Sequence, residues 1–121
     1  MRKRRASPEA AIQRAVFQHL AQRSAPGVFA FHVPNGGYRK PIEAAIMKGM
    51  GVKAGVPDVI AIYQGNVYAL ELKAETGKPT EKQLLAVENI RNAGGFAAIC
   101  YGLDRAIACL ETWGILTGRA A

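Results

Sequence analysis

Residues 56–73 read V-P-D-V-I-A-I-Y-Q-G-N-V-Y-A-L-E-L-K, and two β-type runs, 59–63 and 67–72, stand out within them. Both are built from Val, Ile, Tyr, Leu and Ala, and the Gln64-Gly65-Asn66 segment between them reads as the turn of a hairpin. A two-residue loop at Gln64-Gly65 would set Asp58, at the entrance, directly opposite Glu71, at the exit. Opposed residues on paired strands carry Cβ atoms ~4.5–5.5 Å apart. Two carboxylates that close repel unless a cation lies between them. Oxygen-only ligands suit Mg²⁺, with Mn²⁺ able to substitute, rather than zinc. The two-residue period of a strand puts Lys73 on the face of Glu71. A three-residue turn would shift this register by one, so the expectation hangs on the turn.

A metal site with an ammonium group beside it has the parts that phosphodiester hydrolysis requires. Taken singly, each part also has an ordinary reading. An Asp after Pro caps turns, and Glu-x-Lys at a strand end is a common solvated ion pair. It is the hairpin, by superposing them, that turns two ordinary features into a candidate site.

Working outward, Ser7-Pro8-Glu9 reads as a helix start, and Ile12, Ala15, Val16, His19 and Leu20 recur at helical spacing until Pro26-Gly27. Residues 28–33 read as a strand stopped by Pro34-Asn35-Gly36-Gly37. A short helix follows over 41–50, then a loop rich in Gly and Lys up to Pro57. Thr80-x-x-Gln83 fits a capping box opening a helix that carries Leu84, Val87 and Ile90. Residues 96–101 read as a strand and 104–113 as a last helix. The order α-β-α-β-β-α-β-α, with a central hairpin apolar on both faces, predicts an α/β sandwich whose sheet is covered on both sides. Residues 7–121 are expected to form one domain and residues 1–6 a basic, flexible N-terminal tail. The apolar Ile42, Ile46, Met47 and Met50 of the second helix are expected to face the core, with an interface as the other reading.

The 121 residues are half apolar, enough for one core, and 16 Lys and Arg against 9 Asp and Glu leave a net charge of +7. The excess is one-sided: residues 1–53 hold ten bases and two acids, whereas residues 54–121 hold six bases and seven acids. A polyanion meeting one surface is the expected partner. No apolar run approaches the ~20 residues of a membrane span, and the basic start lacks the apolar stretch of a signal peptide. Cys100 and Cys109 form no CxxC pair and read as buried thiols. A soluble intracellular domain that meets no membrane is expected.

The ordered set Glu9, His32-x-Pro34-Asn35-Gly36-Gly37 with Arg39, Gly55-x-Pro57-Asp58, Glu71-x-Lys73 and Gln83 resembles the VRR-NUC family, the virus-type replication-repair nucleases of the PD-(D/E)xK superfamily. The likeness runs from Glu9 to about Asp104. Leu84, Leu85 and Ala86 depart from it, because family members often carry an aromatic residue shortly after the Gln. The resemblance implies a restriction-endonuclease-like (PD-(D/E)xK) three-layer sandwich, a mixed central sheet flanked by helices. It implies that Asp58 and Glu71 bind the metal, with the Leu72 backbone carbonyl as a third ligand and Glu9 reaching in directly or through water. Lys73 would orient the attacking water, and Gln83 would support the lysine or a phosphate. From the residues alone Glu9 is a helix-dipole partner, and Gln83 completes a cap; one residue could do both.

Stand-alone phage and bacterial members of that family act as dimers on branched DNA. The expectation is therefore a cytoplasmic, divalent-metal-dependent DNA endonuclease of a bacterial or phage-infected cell, cutting four-way (Holliday) junctions as a homodimer. A flap or single-strand nuclease with the same site, and a silent nucleic-acid-binding module, are the rival readings. His32 alone would be a core histidine, but beside Asn35, Arg39 and Lys40 it reads as part of a phosphate contact. Lys53, between Gly51 and Gly55, sits on a loop suited to tracking a nucleic-acid backbone. Arg2, Lys3, Arg4 and Arg5 would add salt-sensitive affinity. Tyr38, Tyr63, Tyr68 and Trp113 are too scattered for a base-stacking platform and are expected to pack.

Overall fold

The computed structural model describes residues 7–34 and 39–118. The expectations placed on Arg2, Lys3, Arg4, Arg5, Asn35 and Tyr38 lie outside the described residues. The chain runs α1 (Pro8–Arg23), β1 (Phe29–His32), α2 (Pro41–Gly49), β2 (Val59–Tyr63), β3 (Asn66–Lys73), α3 (Glu81–Asn92), β4 (Phe96–Tyr101) and α4 (Leu103–Thr112). The four strands lie in the order β1-β2-β3-β4. Strand β2 pairs antiparallel with both β1 and β3, and β4 joins β3 in parallel, the crossover being made by α3.

The hairpin closes on two residues. Gln64 and Gly65 both have positive φ, 50° and 79°, which is the mirror-image turn whose twist matches that of paired strands. Tyr63 therefore faces Asn66 and Val59 faces Leu70. The same register carried one residue further sets Asp58 opposite Glu71.

The sheet has two unlike faces. Val59, Ala61, Leu70 and Leu72 point to one side, where Val16 and Leu20 of α1 and Ala106 and Leu110 of α4 close over them. Ala69 and Ala97 point to the other, where Val87 and Ile90 of α3 cover them. That is the three-layer arrangement the sequence implies. Beyond α4, Ile115 and Leu116 are buried as well, and a single bridge pairs Leu116 with Ser24. Arg23 is also buried, donating to the Thr117 carbonyl through Nε (3.1 Å) and Nη2 (2.7 Å) and pairing with Glu111. It ties the end of α1 to the segment after α4.

Two expectations are corrected here. Helix α2 contributes nothing to the core: Ile42, Ile46 and Met50 are 69%, 57% and 80% exposed, and only Met47 is partly covered. Helical spacing showed an apolar face without showing what it meets. The second correction concerns coverage, because α3 packs chiefly on β3 and β4 and leaves Phe29, Ile62 and Val67 exposed on its side of the sheet.

Candidate active site

The hairpin brings its two acids together at the end away from the turn. Asp58 follows Pro57, which is fully buried and fixes the chain where it enters β2. One Asp58 oxygen, Oδ2, accepts a hydrogen bond from the Leu72 backbone N–H at 2.8 Å. The carboxylate is thus held across the ladder toward β3. From the other side the His32 ring binds the Asp58 main-chain oxygen at 2.7 Å. A carbonyl only accepts, so Nδ1 carries the proton and Nε2 is left as the ring's acceptor. His32 is exposed, not a core residue. Its work is to brace Asp58 from the neighbouring strand.

Glu71 is 2% exposed and Lys73 6%. Lys73 Nζ lies 3.8 Å from Glu71 Oε2 and 3.6 Å from Glu9 Oε1. The lysine thus sits between a buried acid of β3 and a half-exposed acid of α1. Glu9 occupies the first turn of α1, whose N-cap Ser7 accepts from the Ala10 N–H, so the dipole role is real and the site role is added to it. Gln83 also does two things. Its Oε1 accepts from the Thr80 N–H at 2.9 Å, completing the capping box, while its Nε2 approaches Glu71 Oε2 at 3.4 Å. The start of α3 is thereby fastened to the buried acid.

Burial raises the Glu71 carboxyl from its ordinary 4.5 to about 8. The facing Asp58 adds to this by hydrogen bonding and by charge; the nearby Lys73 opposes it, and Glu9 adds a further push upward. A buried carboxyl whose charge is disfavoured by a facing acid gives, with that acid, a donor pair suited to a cation. Among the described residues no three His, Cys, Asp or Glu side chains are placed to hold an ion together, and Glu9 meets the site through Lys73. Mg²⁺ is commonly held by one or two carboxylates, with water and substrate phosphate completing its shell, so the donors present fit such an ion. With no His or Cys side chain among them they suit zinc poorly, since its sites are built chiefly on nitrogen and sulfur donors.

The mixed sheet between helical layers is the restriction-endonuclease-like fold of PD-(D/E)xK nucleases, and Pro57-Asp58 and Glu71-Leu72-Lys73 lie at the same end of its β2–β3 hairpin. A solved structure described as a VRR_NUC domain protein superposes with a TM-score of 0.74 at 25% identity, covering 91% of this chain and 90% of its own. Another, described as a VRR_NUC domain, gives 0.59 at 21% identity over 89% of this chain and 99% of its own, and speaks for the fold alone. The sequence matches no family model and no curated protein. In fold and in its ordered motif the chain is similar to VRR_NUC domain proteins.

The five residues expected in the catalytic set, Glu9, Asp58, Glu71, Lys73 and Gln83, are brought together. Arg39 and Lys53 lie instead on an adjacent cleft, and Lys40 is the exposed N-cap of α2. Two more cations on that cleft, Lys48 and Lys82, were missed from the sequence. Lys82 had one available signal, its place beside Gln83 in the first turn of a capped helix. Tyr68 packs as expected, its ring 4.9 Å from that of Phe96 and 5.4 Å from that of Trp113. Cys100 and Cys109 are free thiols, the first buried and the second half-buried.

Proposed function

We propose that this nuclease is a divalent-metal-dependent DNA endonuclease that hydrolyses phosphodiester bonds in branched DNA, four-way junctions first, as a homodimer. The observation that carries the reading is the pair Asp58 and Glu71, opposed across one hairpin, with Lys73 Nζ 3.8 Å from Glu71. Asp58, Glu71 and the Leu72 carbonyl would hold Mg²⁺ or Mn²⁺, with Glu9 contributing directly or through water. When bound, the ion supplies polarisation of the phosphoryl oxygen and an activated water. Lys73 holds that water by hydrogen bonding, or meets the negative charge that grows on the phosphoryl oxygens. Gln83 fixes the Glu71 carboxylate, and His32 and the Leu72 N–H fix Asp58, so the ligands need little rearrangement as the reaction proceeds.

Symmetric cutting of two strands needs two such sites related by a two-fold axis. The exposed Ile42, Ile46 and Met50 face of α2 supports pairing of two copies. No helix among the described residues is long and apolar enough to cross a membrane, in keeping with a DNA substrate.

The test is cleavage of labelled four-way junction, flap and blunt duplex, with Mg²⁺ and with EDTA. Paired, symmetric nicks in the junction that disappear with EDTA are expected. Cutting of the flap alone would replace the junction reading with the single-strand one. Asp58→Asn should lower cutting roughly a hundredfold or more while DNA binding persists. Unchanged cutting by that variant would remove the proposed mechanism.

A further inference from the structure

Beside the acid pair lies a cleft of about 650 Å³ between α2, the loop before Pro57 and the start of α3. Its walls differ in character. Arg39, Lys48, Lys53 and Lys82 supply four cations, and Met47 and Val52 supply apolar surface between them. The Arg39 guanidinium lies against the Met47 sulfur and reaches the Pro34 carbonyl at 3.4 Å, which holds it on the rim. The loop is pressed onto α3: a Cβ at Gly55, where φ is +82°, would fall 2.4 Å from the Lys82 carbonyl oxygen. Only glycine permits that approach.

This contact joins the cleft to the site. Lys82 directly precedes Gln83, which touches Glu71, and Ala54 stands four residues before Asp58. Four residues span at most roughly 14 Å, which puts the cleft within a few nucleotides of Asp58 along a bound strand. A strand with its scissile phosphate at Asp58 would therefore lay its next few nucleotides in the cleft.

We infer that the Arg39–Lys82 cleft is a subsite for an unpaired DNA strand flanking the scissile bond, its cations taking phosphates and Met47 and Val52 taking the face of an unstacked base. This rests on the nuclease reading above and adds that the branch point presents a strand whose bases have left the stack beside the cut. A duplex keeps its bases stacked inside and offers the cleft only phosphates, for which the cations alone would suffice. An apolar strip among them gains contact only from a base that has left the stack.

The experiment is binding in EDTA, where nothing is cut. A labelled oligothymidine and a blunt duplex are titrated against the wild type, Met47→Ser, and the Lys48→Glu/Lys82→Glu double variant. Met47→Ser should weaken the oligothymidine several-fold and leave the duplex within about twofold. The double variant should flatten the salt dependence for the oligothymidine by about 0.7 per lysine. Photocrosslinking of a thiothymidine-bearing oligonucleotide to the wild-type protein gives a readout independent of how any variant folds, and the adduct should map to α2 or residues 52–54. Equal losses for oligothymidine and duplex, unchanged affinity in Met47→Ser, or crosslinks confined to other segments would overturn the inference. Wild-type protein that showed the expected binding yet cut no DNA with Mg²⁺ would instead overturn the nuclease reading.

Discussion

Glu71 holds its carboxyl up to about 8 because burial and the facing Asp58 disfavour its charged form. Between its ordinary value of 4.5 and that value, the folded protein keeps a proton that the unfolded chain has lost. Stability therefore falls as pH rises through this window. Thermal melts in EDTA should show a midpoint that drops from about pH 5 to about pH 8. Glu71→Gln, which is neutral throughout, should flatten the dependence and melt higher than the wild type at the alkaline end. Added Mg²⁺ should raise the wild-type midpoint more at pH 8 than at pH 6, since it displaces a proton at the lower pH. A wild-type midpoint that rises over the same interval would show that Glu71 is ionised without metal. At this scale the sequence was informative about the acids, because a turn of known length fixes which residues oppose. It was silent about the brace of His32 on Asp58, which depends on the register of β1 against β2. That pairing is made between segments 26 residues apart, beyond the reach of any local pattern.

The start of α3 carries two functions in one side chain, and they can be separated. Thr80→Ala removes the hydroxyl that accepts from the Gln83 N–H at 3.2 Å and should cost roughly 1 kcal/mol of stability. It leaves the Gln83 amide free to reach Glu71, so cutting should persist at temperatures where the variant is folded. Gln83→Leu breaks the reciprocal bond to Thr80 and the contact to Glu71 together. It should lose a similar amount of stability and, in addition, weaken Mg²⁺ affinity ten- to a hundredfold, the usual range for a ligand's supporting partner. Calorimetric unfolding and metal titration of the two variants separate the effects; equal metal affinities would confine Gln83 to the cap. Capping boxes and hairpins are legible in sequence because their signals lie within a few residues. Helix α2 was legible as a helix, whereas its exposure was not, since an apolar stripe is the same whether it meets a core or a partner. Ile115 and Leu116 follow the last helix with no period to read, and they are buried by long-range contact with the end of α1.

Across the whole molecule, the charge asymmetry of the sequence becomes a spatial one. Arg39, Lys48 and Lys53, from the basic half, line the cleft together with Lys82 from the other half, next to the acid pair. Phosphate contacts position a substrate on such a surface, and the acids select the bond. The same molecule exposes Ile42, Ile46 and Met50 on one helix. Ile46→Glu should turn the proposed dimer into a monomer in sedimentation experiments. It should also convert paired nicks in a four-way junction into single, uncoordinated ones, with the acid site intact. A variant that remains dimeric would place the two-fold axis on another surface.

Diffraction from crystals grown with Mn²⁺, recorded at a wavelength where manganese scatters anomalously, puts the ion itself in view. A peak lying between the Asp58 and Glu71 carboxylates, and absent from Asp58→Asn crystals, is the predicted result. Manganese bound elsewhere while that gap held no anomalous density would contradict the assignment of these two acids as a metal site.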